Sequence, residues 1–156
     1  MRKNQIGFTF IELIVSLVLL ALLVSVVIPI SDLTSRHSKE KELKQALSEI
    51  RSAIDKYKVA SDLNEIPTRY KTVSGYPPNL SILTGISVGN GGKVHRFLRK
   101  IPADPFAVEK NVPPEQTWGT REFLSEANTP KKGEDVYDIY SLSTKKGSNG
   151  VAYNEW

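Results

Sequence analysis

The sequence predicts an α+β fold in which one long N-terminal helix packs on a small antiparallel sheet. Three observations predict it. The chain of 156 residues carries a nearly uncharged apolar run from Phe8 to Ile30. A polar stretch follows in which apolar residues recur at helical spacing to about residue 61. The remainder is broken by proline and glycine and holds short strand-like segments. Composition is otherwise ordinary, 40% hydrophobic and 24% charged. The absence of cysteine excludes disulfide scaffolds, thiolate metal sites and cysteine nucleophiles. The formal net charge of +4 is mildly basic and is not by itself a nucleic-acid footprint.

Residues 1–7 are short, polar and basic. From Phe8 to Ile30 the single charged residue is Glu12, and only Ser16, Ser25 and Pro29 interrupt the uncharged run 13–30. At about 1.5 Å per residue that run is roughly 27 Å long as a helix, near the hydrocarbon thickness of a bilayer. So short a chain has no core that could enclose a helix apolar on every side. A membrane-spanning first half is therefore expected. A removable signal peptide fits less well, because the run is long and no small-residue cleavage site follows it. Glu12 lies one turn inside the run, where a carboxylate costs about 2.5–3.5 kcal/mol at bilayer depth. Either it sits at headgroup level, or it pairs with a cation inside an assembly.

Gly7 followed by FTFIELIVSLVLLALL resembles the prepilin signature of type IV pilins and type II secretion pseudopilins. The resemblance implies cleavage after Gly7 by a prepilin peptidase and N-methylation of Phe8. Glu12 would become the fifth mature residue, able to meet the Phe8 amine of a neighbouring subunit. Phe10 stands where the family usually has Leu. Pro29 matches a proline common at the 22nd mature position, with two readings open: a kink at the membrane exit, or a point of stretch in a fibre. The resemblance also places the N-terminus in the cytoplasm and the C-terminal domain outside a bacterial inner membrane. Charge does not, since Arg2 and Lys3 face Arg36, Lys39, Lys41 and Lys44 across the run.

Beyond Ser31 the spacing of Leu43, Leu47, Ile50, Ile54, Tyr57 and Ala60/Ser61 puts one stripe on one helix face, widened by Ala46 and Ala53. Glu40 and Lys44 suggest an i,i+4 pair on the outer face. One helix from about Thr9 to Ala60 is expected. The domain boundaries read as a leader 1–7, a transmembrane and polymerisation helix 8–30, an amphipathic helix 31–61 and a small globular α+β domain 62–156.

In that last part, PPNLSILTG (77–85) reads as a short helix, and VHRFLRKIPADPF (94–106) as a turn of helix leading to an irregular segment. WGTREFL (118–124), DVYDIYSLS (135–143) and GVAYNEW (150–156) read as three short strands. A three-stranded antiparallel sheet on the stripe 43–60 would bury both faces.

LRKIPADPF, WGTREF, DVYDIYS and the terminal Trp156 resemble the major, G-type pseudopilin of type II secretion. That family holds calcium with acidic residues near its last strands, which makes Asp135 and Asp138 the calcium candidates here. The acidic loop expected after them is replaced by a segment carrying Lys145 and Lys146, which argues against the ion.

His37 and His95 are too isolated for a metal site or a triad. GNGGKV (89–94) fails the phosphate-loop pattern, because Val94 follows the lysine. Lys93, Arg96, Arg99 and Lys100 make a basic patch around Phe97, read as facing a neighbour's acidic surface; no nucleic acid is expected. The sequence points to a non-enzymatic pseudopilin that polymerises into a periplasmic fibre driving protein secretion. By the resemblance its partners are the prepilin peptidase, an inner-membrane assembly platform, minor pseudopilins and the membrane. The alternatives are a type IV pilus pilin or, less favoured, a membrane-anchored periplasmic binding or enzymatic domain.

Overall fold

The structure, a computed structural model, describes residues 7–88, 93–109 and 111–156; for residues 25–33, 88 and 93 it describes the backbone alone. The leader residues 1–6, with Arg2 and Lys3, lie outside the described residues. So does the whole GNGG segment, 89–92. The chain divides into two compact units, Met1–Ser38 and Lys39–Trp156.

A single helix, α1, runs Phe10–Asp62, within two residues of the expected ends. In the first unit its described apolar side chains all face outward, from Phe10 to Val24. In the second unit the helix buries the predicted stripe. Leu43, Ile50, Ile54 and Tyr57 are at most 1% exposed, and Ala46, Leu47 and Ala53 are buried with them. Each fully buried aliphatic side chain contributes about 1.5–3 kcal/mol of transfer free energy.

The helix ends where the backbone supplies its own cap. Asn64 takes a left-handed φ of 60°, a conformation asparagine tolerates better than most residues. Asn64 N–H donates to Ser61 O (3.1 Å) and Glu65 N–H to Ala60 O (2.9 Å), the paired bonds of a Schellman ending. Ile66 then folds back into the core, and Pro67 prevents any continuation.

PPNLSILTG does form a helical turn, of the 3₁₀ type, over Leu80–Thr84. Asn79 caps it by accepting from Ile82 N–H (3.1 Å). Leu80 and Leu83 enter the core.

Two expectations are corrected. The stretch from Val94 opens not with helix but with a strand. Ile86–Val88 (β1) pairs antiparallel with Lys93–His95 (β2), Ile86 opposite His95. Residues 89–92, which join the two strands in sequence, lie outside the described residues.

The second correction concerns the three-stranded sheet. Trp118–Arg121 (β3) pairs antiparallel with Asp138–Ser141 (β4), Trp118 opposite Ser141 and Arg121 opposite Asp138. GVAYNEW adds no third strand. It makes an isolated bridge between Lys146 and Ala152, then a 3₁₀ turn over Tyr153–Glu155. Its backbone bonds stay local: Tyr153 N–H donates to Lys145 O (3.0 Å) and Asn154 N–H to Ser143 O (3.1 Å). The side chains set this path. Tyr153 is buried and stacks on Phe106 at 4.0 Å between ring centres.

The blurred alternation of DVYDIYSLS also resolves. Ile139 and Ser141 are fully buried while Asp138 and Tyr140 are partly exposed. Val136 is buried ahead of the strand.

Candidate processing and assembly site

The site is built from the start of α1. Gly7, Phe8 and Thr9 precede the helix and are exposed, Phe8 by 84%. Thr9 is the N-cap. Its carbonyl accepts the first helical bond from Leu13 N–H (3.1 Å), and its Oγ1 accepts from Glu12 N–H (3.3 Å). Thr9 and Glu12 thus fit the T-x-x-E capping pattern, with Glu12 at the third helical position. Sequence reasoning passed over Thr9, although this spacing was the signal for it. The place suits a carboxylate, since the first turn of a helix carries partial positive charge. Ser16 Oγ donates to the Glu12 carbonyl at 2.7 Å. The Glu12 carboxylate is exposed, and no residue pairs with it among the described residues.

Around it the helix is apolar on every side. Phe10, Leu17 and Leu23 are 78%, 59% and 66% exposed. Among the described residues no helix is long and apolar enough to cross a membrane. Side chains of the apolar run are described only to Val24, while in sequence the run continues to Ile30. The helix is continuous through position 29, where the side chain of Pro29 lies outside the described residues.

The other predicted site residues lie in the second unit. Asp138 Oδ1 accepts from Arg51 Nε at 2.8 Å and from its own strand neighbour, Ile139 N–H, at 2.8 Å. Its Oδ2 faces Arg121 Nη2 at 3.3 Å. Asp135 does not join it. One oxygen of Asp135 accepts from Phe123 N–H at 2.9 Å and the other from Ser74 Oγ. Among the described residues no group of three or more potential metal ligands comes together. His95 stacks on Phe97 at 4.4 Å.

Glu40 is not on the outer face, as the sequence suggested, but buried. Its carboxylate accepts from Ser148 N–H (2.8 Å), Ser148 Oγ (2.5 Å) and Tyr153 O–H (2.9 Å). Arg51, half-buried, adds bonds to Ile139 O (3.1 Å) and Trp156 O (2.9 Å). Lys44 Nζ sits 4.7 Å above the Trp156 ring. These three helical residues fasten the last strand and the C-terminal segment to α1. No local pattern announced them, because their partners lie 87 to 113 positions away.

With this geometry in place, comparison with protein families finds the prokaryotic N-terminal methylation motif over residues 2–28. The match spans Gly7, Phe8 and Glu12 and defines a type IV prepilin-like N-terminus. It leaves the globular part of the second unit uncovered. No curated protein and no solved structure matches the chain.

Proposed function

We propose that this chain is a non-enzymatic structural subunit, cut by a prepilin peptidase between Gly7 and Phe8 and methylated on the new Phe8 amine. The observation that carries the reading is the methylation motif over residues 2–28, set on an exposed segment that stays non-helical up to the Thr9 cap. A peptidase needs extended backbone at the bond it cuts, and Gly7–Phe8 lies outside the helix.

In this reading residues 8–30 cross the bacterial inner membrane once, with the N-terminus cytoplasmic and the globular domain outside. Polymerisation then covers the apolar helix with copies of itself. The Phe8 amine of one subunit offers Glu12 of another the cation it lacks among the described residues of its own chain. A charge buried without a partner is strongly destabilising, so the pair sets axial register. Pro29 lies in the helix that would pack along the fibre.

We assign the fibre to type II secretion, as a G-type pseudopilin, rather than to a type IV pilus. The absence of cysteine and the order of LRKIPADPF, WGTREF and DVYDIYS support this assignment. Calcium has no part in it, because guanidinium groups already face Asp138 on both oxygens.

Co-expression with a prepilin peptidase, followed by intact-mass measurement, tests the reading. Residues 1–7 should be lost and one methyl group gained on Phe8; an uncut chain overturns it. Glu12→Ala should insert into the membrane normally and yield few fibres, and normal fibre numbers would remove its pairing role.

A further inference from the structure

A groove of about 330 Å³ opens at the C-terminal end of α1, where Lys56, Val59 and Leu63 meet His95, Arg96 and Phe97. Its floor is apolar and open to solvent: Val59 is 59% and Leu63 64% exposed. Its rim is basic. Lys56 and Arg96 border it; Arg99 and Lys100, also exposed, follow in sequence after the half-buried Phe97 and the buried Leu98. Among the described residues none of these four cations has a carboxylate partner, and Glu65 is the single acid lining the groove.

Elsewhere on the same unit lies a segment of opposite character. Glu122-Phe123-Leu124-Ser125-Glu126 forms a tight turn closed by Ser125 N–H donating to Glu122 O at 3.2 Å. Leu124 is 87% exposed at its tip, with Phe123 half-exposed beside it. The turn is held in place. Phe123 stacks on Tyr76 at 5.6 Å and meets Tyr137 edge-on at 5.6 Å, while Asp135 takes its N–H at 2.9 Å. It is therefore a preorganised apolar knob with the exposed Glu126 beside it and the half-buried Glu122 folded against Gly133, and its rigidity lowers the entropic cost of docking.

The two surfaces do not share a face of the helix. The knob packs on Tyr76, over which Lys58 of α1 lies at 5.6 Å. At about 100° per residue, Lys58 and Asp62 point roughly 110° away from Lys56, Val59 and Leu63. One copy therefore presents a knob on one side and a groove on another.

We infer that the 122–126 turn of one copy seats in the basic-rimmed groove of the next, Leu124 against Val59 and Leu63, Glu126 against Lys56 and Arg96. Such a contact is heterologous, so repeating it builds an open chain of subunits rather than a closed pair. It rests on the fibre reading above and adds to it a contact between globular domains. The surfaces are small, well under what a stable dimer buries, so the contact acts where copies are already held side by side. A nucleic-acid strand fits the groove less well. Aliphatic side chains supply much of the floor in place of a row of stacking rings, and Glu65 would repel phosphate.

The test uses the full-length chain with Leu63→Cys and Leu124→Cys together, on a background that contains no cysteine. A short bis-maleimide should give a ladder of dimers, trimers and longer species. Either single variant should give no ladder, and the two singles co-expressed should stop at dimers. Arg96→Glu in the double-cysteine chain should weaken the ladder about tenfold, and adding Glu126→Arg should restore it, which a misfolded variant could not do. An uncut chain with no ladder overturns the fibre reading and, with it, the contact that rests on it. If the ladder is missing while residues 1–7 are lost and fibres form, the contact fails and the fibre reading stands. A ladder in an uncut chain keeps the contact and overturns the fibre reading. A dimer from Leu124→Cys alone, or loss of the ladder on adding oligo-dT but not salt-matched buffer, overturns the assigned occupant.

Discussion

Residues 10–24 and residues 40–61 belong to one continuous helix and have opposite fates. In the first stretch every described apolar side chain is exposed, Leu19 by 56%. In the second, side chains of the same chemistry are sealed, Ile54 to 1%. Backbone geometry is the same, so the difference lies in angular pattern. A stripe on one face can be covered by a small sheet from the same chain. Apolar residues on every side demand cover all round, which lipid or further helices supply. One helix therefore carries two patterns, one covered by its own chain and one left uncovered.

The sharpest way to break this comparison is to truncate one side chain in each half. Ile54→Ala should lower the unfolding free energy of the full chain in detergent by about 2–5 kcal/mol, from lost transfer energy and an unfilled cavity. Leu19→Ala should leave that unfolding transition in place and reduce fibre yield. Equal effects on unfolding would dissolve the distinction between the halves.

A smaller effect is expected at the fastening residues. Arg51→Ala removes partners from Asp138, Ile139 and Trp156, while Arg121 still faces Asp138. A loss of about 1–2 kcal/mol should appear in chemical denaturation, discounted because the site is part-exposed.

The stripe also has a pH signature. Burial pushes the Tyr57 phenol up to about 12 from its ordinary 10. Its O–H donates to Tyr70 O, which the ionised form could not do. The unfolded chain releases this proton near pH 10 and the folded chain near 12. The stabilisation is therefore complete below pH 10 and is lost as pH rises towards 12. The melting temperature of the wild type should fall more steeply across that window than that of Tyr57→Phe. Parallel slopes would refute the assignment.

The smallest effect is expected from calcium. Adding a chelator should leave the melting temperature unchanged, because the Asp138 carboxylate is matched by Arg51 and Arg121. A chelator-dependent drop would restore Asp135 and Asp138 as ligands.

The sequence by itself determined what depends on near neighbours. The extent of α1, its buried stripe and the apolar run with Glu12 all follow from spacing that survives in one dimension. The Gly7–Phe8–Glu12 signature belongs to the same class, since the methylation motif is matched along contiguous residues 2–28. Only the tertiary structure decided where polar groups with distant partners would go. Glu40 looked like an outward half of a helical pair and is buried, because Ser148 and Tyr153 return to it from the far end of the chain. GVAYNEW looked like a strand and is not one, because Tyr153 stacks on Phe106 and its backbone bonds reach back only to the segment just after β4, at Ser143 and Lys145. Asp138 looked like a candidate ligand and is a fastening for Arg51 and Arg121. A hydrogen bond between residues about a hundred positions apart leaves no period in the sequence, and these polar fastenings set the path of the C-terminal segment.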